Sequence, residues 1–553
     1  MRNPLRHVLF LGCGFCLLAL PIQKVSAEAL PSSVAAQEVN RILLEEMGSE
    51  VATSGPIDDV AFLRRAMLDL NGQLPTPSEI SIFTLDPNPS EVKRSAVVRS
   101  LMSRDTYARN WARYWRDVIF YRRTSERAQI SLPSSEFYLT DQFQENRPWD
   151  EIATDLITAT GEVRSHGETA LIMAHMDDTE NLASEVSRIF LGIQISCAQC
   201  HDHPYDRWQR EQFHELAAFF PRVKVRQVRD QFPPTFEVVS HDYLPRYAQF
   251  RPEAADNPRL RIEHRMSDLE RPEERGQVMQ PALFITDQQY GTGERDIDRR
   301  LTLSKWITSK NNPWFSKAYV NRIWTVLVGE SFYDSVDDIG PDRGAHAENT
   351  LKFLSDQFAE NDYDIKWLFE TIMQTEIYQS AGINPDRTQT IAYQGNACQP
   401  LRSDQLFSSL LQVLGMPEPP VLPPPPPSGA PSSRRNQFNP GFQFMQTFGF
   451  DPSMSAQEWT LAIPQALALM NSPYLMRSLN GYNFSTPLGQ LLREKSENDE
   501  VVYELYLRTL AREPTAGELQ VCREYVQEVN NRVEAFEDIQ WTLLNSTEFL
   551  HRR

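Results

Sequence analysis

Cys197, Cys200 and His201 lie within the pentapeptide CAQCH, and C-x-x-C-H is the attachment pattern for c-type haem. In that chemistry the two thiols add across the haem vinyl groups and become thioethers, while the imidazole reaches the iron from the proximal side. The same residues suit two other arrangements. One is a short-loop disulfide with no cofactor, and the other is half of a zinc or iron site completed by His201 and His203. The haem arrangement assigns one covalent haem c to Cys197, Cys200 and His201, with His201 as the metal ligand. Met173, His175, His166 and His214 are the candidates for a sixth iron ligand. The nearby Asp202 and Asp206 read as turn and cap residues.

The elements that must hold this motif are read from its flanks. Glu185 to Ile195 places Val186, Ile189, Phe190 and Ile193 on one face and predicts a helix running straight into the motif. After the motif, Asp206 and Gln209 read as a capping pair for a helix whose inner face is Phe213, Leu216, Ala217 and Phe220. The motif is therefore expected in a short loop between two amphipathic helices. Upstream, Ile57 to Leu70 and Arg104 to Arg123 have helical period, the second with Trp111 and Trp115 inward. Asp58, Asp59, Arg64, Arg65 and Asp69 crowd the first of these, as an internal ion-pair network or an exposed face. Residues 222–290 partly alternate and are rich in proline and charge, which predicts a small β-containing insert or long connection. Helical period resumes over 299–307, 314–328, 351–358, 365–377, 465–479 and 500–550. The proline-rich tract 416–436 is expected to be extended and exposed. The fold class is mainly α.

Compartment follows from the first residues. Arg2 and Arg6 precede an apolar run from Val8 to Leu20, and Val25-Ser26-Ala27 offers small residues at cleavage positions. This reads as a secretory signal peptide over 1–27, with Glu28 as the mature N-terminus and a periplasmic or extracellular destination. The run is shorter than the roughly 18 apolar residues a membrane span needs, and no transmembrane helix is expected in the mature chain. Cys13 and Cys16 fall in the signal, leaving Cys398 and Cys522 either paired with each other or as buried thiols.

The chain has 553 residues, 41% of them hydrophobic and 23% charged, so it can build a sizeable core. Its net charge of −19 argues against nucleic acid and anionic membrane surfaces as partners. No G-x-S-x-G, H-E-x-x-H or phosphate-cradling glycine loop is present, so the common hydrolase and nucleotide-binding classes lack support and no catalytic residue is assigned.

The segment CAQCHDHPYDRWQREQFHELAAFF, with FLRRAMLDLNGQLPTPSEI and NWARYWRDV before it, resembles the planctomycete cytochrome-associated family of domains of unknown function. The second half resembles the planctomycete-specific domain that usually follows it, through LSKWITSKNNPWFSKAYVNRIW, DDIGPDRGAHAENTLKFLSDQF, QALALMNSPYL, LYLRTLAREPTAGEL and LLNSTEFL. Members of these families are exported and often carry a further cytochrome c-like module. This chain has a single C-x-x-C-H. The resemblance implies a helical cytochrome-like domain over 28–221 and a helical planctomycete-specific domain over 291–553. Electron transfer with a redox partner protein is the leading expectation. The alternative is a non-redox envelope protein that binds polysaccharide or has a structural role, with Cys197 and Cys200 as a disulfide or metal clip.

Overall fold

The computed structural model describes residues 29–48, 54–229, 234–243, 262–286, 288–384, 393–417, 444, 447–449, 451–454, 465, 468–469 and 472–552. The signal segment 1–27 and nearly all of the tract 416–436 lie outside the described residues. The architecture is mainly helical with a few small sheets.

Local chemistry explains where the helices begin and end. Helix Asp59–Asn71 starts where the Asp58 carboxylate accepts the Ala61 N–H and stops at Gly72, which takes the left-handed conformation at φ 66°. Every residue from Phe62 to Asn71 is buried, Arg64, Arg65 and Asp69 included. Of the crowded charges, Asp58 is exposed and Asp59 half-buried against Lys93 and Arg94, whereas Arg64, Arg65 and Asp69 are internal: Arg65 donates to the Tyr378 and Ser380 carbonyls, and Arg552 pairs with Asp69 at 2.6 Å. Helix Asp105–Phe120 buries Trp111 and Trp115 completely. Trp115 lies 4.2 Å from Trp149 and stacks on Tyr319 at 5.4 Å, centroid to centroid, so the tryptophan pair is core.

The expected connection does contain strands. Val223–Val228 and Thr235–Ser240 form an antiparallel pair, and the short strand Gly161–Glu162 adds to the outer edge of Thr235–Ser240. Beyond it come two-residue ladders at Arg265–Met266 with Gln277–Val278 and Ala282–Leu283 with Gln288–Gln289.

Among the described residues two large apolar cores result, with a small separate cluster of Ala218, Met266 and Met279. The larger runs from Ala35 to Tyr393, takes in Ala511, and includes Val223, Phe236, Val238, Leu283 and Phe284 of the β-containing connection. The smaller joins Leu401–Leu550 to Leu68 and Leu74 of the N-terminal half. Helices Asn498–Leu510, Ala516–Val529 and Arg532–Leu544 contribute to it.

Candidate functional site

The approach to the motif is more irregular than a helix. An α-helix, Thr179–Val186, passes into a π-helical turn, Ser187–Leu191, which ends at Gly192 with φ 65°. The expected helix through Ile195 is thus corrected. Gly192 breaks it, the chain crosses Ile193 and Gln194, and a 3₁₀ turn over Ile195–Gln199 carries Cys197. π-Turns hold an extra residue per turn and recur at functional sites. Val186, Ile189, Phe190 and Ile193 are all buried, so the apolar pattern is satisfied although the helix is not continuous.

Cys197, Cys200 and His201 share one exposed turn, with both thiols free. His201 Nδ1 lies 2.7 Å from the Asp202 carbonyl oxygen. A carbonyl only accepts, so Nδ1 carries the proton, and in the neutral ring Nε2 presents a lone pair. That is the tautomer a metal-bound imidazole needs, with the distal nitrogen oriented by a backbone carbonyl. His203 is set the opposite way. Its Nδ1 accepts the Tyr205 N–H at 3.2 Å, which leaves the proton on Nε2, and its own N–H donates to the Trp208 carbonyl. Among the described residues no three His, Cys, Asp or Glu side chains converge as a metal-ligand group, so Cys197, Cys200, His201 and His203 are not gathered into a zinc cluster.

Asp202 accepts the Arg210 N–H at 3.0 Å and closes the loop onto the following helix. That helix, Arg210–Ala217, is capped reciprocally by Gln209 and Gln212. Asp206 is not its cap. It accepts the Arg207 N–H and faces Gly340, where a Cβ would lie 2.0 Å from its Oδ2.

The four sixth-ligand candidates scatter. Met173 and His175 are buried at the end of helix Ala170–Ala174, and His166 is half-exposed beside Glu168. Only His214 is bonded to the motif: its Nε2–H donates to the Gln199 carbonyl at 3.1 Å, and its Nδ1 accepts from His264 Nε2 at 2.8 Å. With both nitrogens engaged, His214 supports the motif from beneath, and burial keeps it neutral by lowering its pKa.

Residues 337–343 brace the other side of the loop. Ile339 N–H donates to the Gly192 carbonyl at 2.8 Å, Arg207 pairs with Asp342 at 2.7 Å, and Arg343 reaches the Tyr205 carbonyl at 3.3 Å. Burial raises the pKa of Asp206, and the neighbouring Asp342 adds to the rise, while Arg207 lowers that of Asp342. Deeper in, Asp337 accepts from Arg188 of the π-turn at 2.7 Å, from Arg322, and from Ser453 at 2.6 Å. Sequence reasoning missed this brace. The DDIGPDRG run is visible in the sequence, but nothing local shows which loop it meets.

These features define a two-part chain whose exposed C-x-x-C-H turn is held between its halves. Residues 38–225 match PSCyt2, a protein of unknown function (DUF1549), and residues 299–526 match PSD1, a protein of unknown function (DUF1553). The chain accordingly carries a PSCyt2 domain followed by a PSD1 domain, both planctomycete families of unknown function. No curated protein and no solved structure matches it. Among the described residues no helix is long and apolar enough to cross a membrane.

Proposed function

We propose that this is an exported, single-haem c-type cytochrome-like protein that exchanges electrons with a partner protein. The observation that carries the proposal is the turn itself. Two free, exposed thiols at C-x-x-C spacing precede an imidazole whose Nδ1–H is held by a backbone carbonyl, leaving Nε2 for iron. Cys197 and Cys200 would form the thioethers and His201 would bind the iron; the bound haem would supply a one-electron ferrous–ferric couple. His214 and the 337–343 brace would fix the turn, and Tyr205 in the same loop is 75% exposed. A surface position suits electron exchange by direct contact.

Expression alongside cytochrome c maturation machinery tests the proposal. Denatured protein should retain covalent haem, a pyridine haemochrome spectrum should give about one c-type haem per chain, and Cys197→Ala or Cys200→Ala should cripple attachment. Folded, colourless protein from cells that mature a control cytochrome would overturn it. A Cys197–Cys200 disulfide in that protein would favour the non-redox envelope-binding alternative.

A further inference from the structure

The dipeptide Asn-Gly occurs twice in the chain, at Asn71-Gly72 and at Asn480-Gly481. A glycine nitrogen is unshielded by any side chain, so it can attack the preceding side-chain amide and close a five-membered imide ring. The two sites are built differently. Asn71 is buried at the end of helix Asp59–Asn71, where its Nδ2 donates to Thr106 Oγ1 at 2.6 Å and to the Leu101 carbonyl at 3.3 Å. The Gly72 N–H donates to the Leu68 carbonyl at 3.1 Å. A carbonyl is no base, and the amide nitrogen is held in place.

Asn480 is exposed and opens the loop that precedes helix Pro487–Glu494. Here the Gly481 N–H donates to Glu537 Oε1 at 2.7 Å, so a carboxylate sits on the proton that the attack must lose. Asn480 Oδ1 accepts the N–H groups of Tyr482 at 2.9 Å and Asn483 at 3.2 Å. Because both partners are donors, the oxygen of the amide faces the backbone, and Nδ2 is the outward end. The loop is stiff: Thr486 Oγ1 lies 2.7 Å from both the Asn480 and Asn483 carbonyl oxygens, and a Cβ on Gly481 would lie 2.8 Å from Val533 Cγ1. A nucleophile with a base on its proton, facing a carbonyl whose oxygen is held by two N–H groups, is the arrangement of an acyl-transfer site.

We propose that Asn480-Gly481 is a self-modifying site, at which Glu537 promotes conversion of Asn480 to aspartate and isoaspartate through a cyclic imide. Glu537 takes the Gly481 proton as that nitrogen bonds to Asn480 Cγ, and the carbonyl electrons move onto Oδ1 between its two N–H donors. When they return, the Cγ–Nδ2 bond breaks, and Nδ2 leaves as ammonia with the proton from Glu537. Water then opens the imide. Attack at Cγ gives aspartate, and attack at the main-chain carbonyl gives isoaspartate, whose longer backbone displaces the exposed Tyr482 and Phe484. Either product places a new negative charge near Glu537. The site is independent of the haem assignment.

The test incubates the full chain at neutral pH and follows the tryptic peptide Ser478–Arg493 by mass spectrometry against a zero-time sample, with an isoaspartyl methyltransferase assay for the isomer. Asn480 in the folded chain should convert about tenfold or more faster than in a synthetic Ser478–Arg493 peptide, which lacks Glu537. Asn71 should stay intact over the same period. Glu537→Gln, which keeps an acceptor for the Gly481 N–H, should slow conversion about tenfold or more. The comparison with the peptide does not depend on that variant folding. A rate in the folded chain at or below that of the peptide, an undiminished rate in folded Glu537→Gln, or equal conversion at Asn71 would overturn the proposal.

Discussion

Two histidines two residues apart differ in which nitrogen carries the proton, and that difference separates the candidate ligand from its neighbour. His201 donates from Nδ1 to a carbonyl, whereas His203 accepts an N–H at Nδ1. His201→Ala should therefore abolish maturation or give weakly held, high-spin iron, while His203→Ala should keep covalent haem at the unaltered level; haemochrome and visible spectra check both. His175 makes a different residue-scale prediction. It is 1% exposed, both ring nitrogens lack hydrogen-bond partners among the described residues, and burial holds its pKa down to about 4 from 6.5. The unfolded chain thus binds the proton more readily than the native one between those values. The neutral ring's contribution is full above pH 6.5 and is lost as pH falls toward 4, by about 3 kcal/mol in total. His175→Leu should flatten the pH dependence of stability across that window, as measured by denaturant unfolding at stepped pH. An unchanged slope would mean that the ring finds a partner in solution.

At the scale of the element, the π-turn Ser187–Leu191 and Gly192 decide how the chain enters the motif. Gly192 has φ 65°, and a Cβ there would come within 2.7 Å of Ile339 Cγ1. Gly192→Ala combines left-handed strain of about 1–2 kcal/mol with a clash against the segment that braces the Cys197–Arg207 turn. Unfolding experiments should show a loss of at least that size. Cys197 and Cys200 should also react faster with a thiol reagent in the variant, because Ile339 N–H donates to the Gly192 carbonyl and must shift with it.

Across the whole molecule, Asp337 joins the two family regions. It accepts from Arg188 in the first and Arg322 in the second, and both guanidiniums are at most 2% exposed. Asp337→Asn would leave the buried Arg322 without a carboxylate among the described residues, while Arg188 keeps Glu185, and should destabilise the protein by about 3–5 kcal/mol, read from the denaturation midpoint. The two cores also predict the outcome of limited proteolysis. Trypsin should cut first at Arg434 or Arg435 in the proline-rich tract, whose sequence has no means of packing. The fragments should nevertheless co-elute in size-exclusion chromatography, because Leu68, Leu74 and Leu401–Leu414 share a core with Leu475–Leu550, and Arg552 pairs with Asp69. Separation of the fragments would contradict that shared core.

Much of this was legible from local sequence. Helix Asp59–Asn71, the tryptophans of Asp105–Phe120, the hairpin after Arg222 and the loop position of Cys197–His201 follow from apolar period, capping residues and turn chemistry, all set by neighbours a few positions apart. The π-turn was hidden because its residues keep the apolar pattern of an α-helix, and Asp206 resembled a cap because spacing alone does not show that it meets Gly340. The docking of 337–343 onto the motif loop and the internal fate of Arg65 and Asp69 join residues more than a hundred positions apart. The sequence by itself determined which side chains could do chemistry and which elements carry them, because periodicity and capping act over one or two turns. Only the tertiary structure decided which charges face one another, because buried ion pairs are chosen by the packing of distant segments and leave no local pattern.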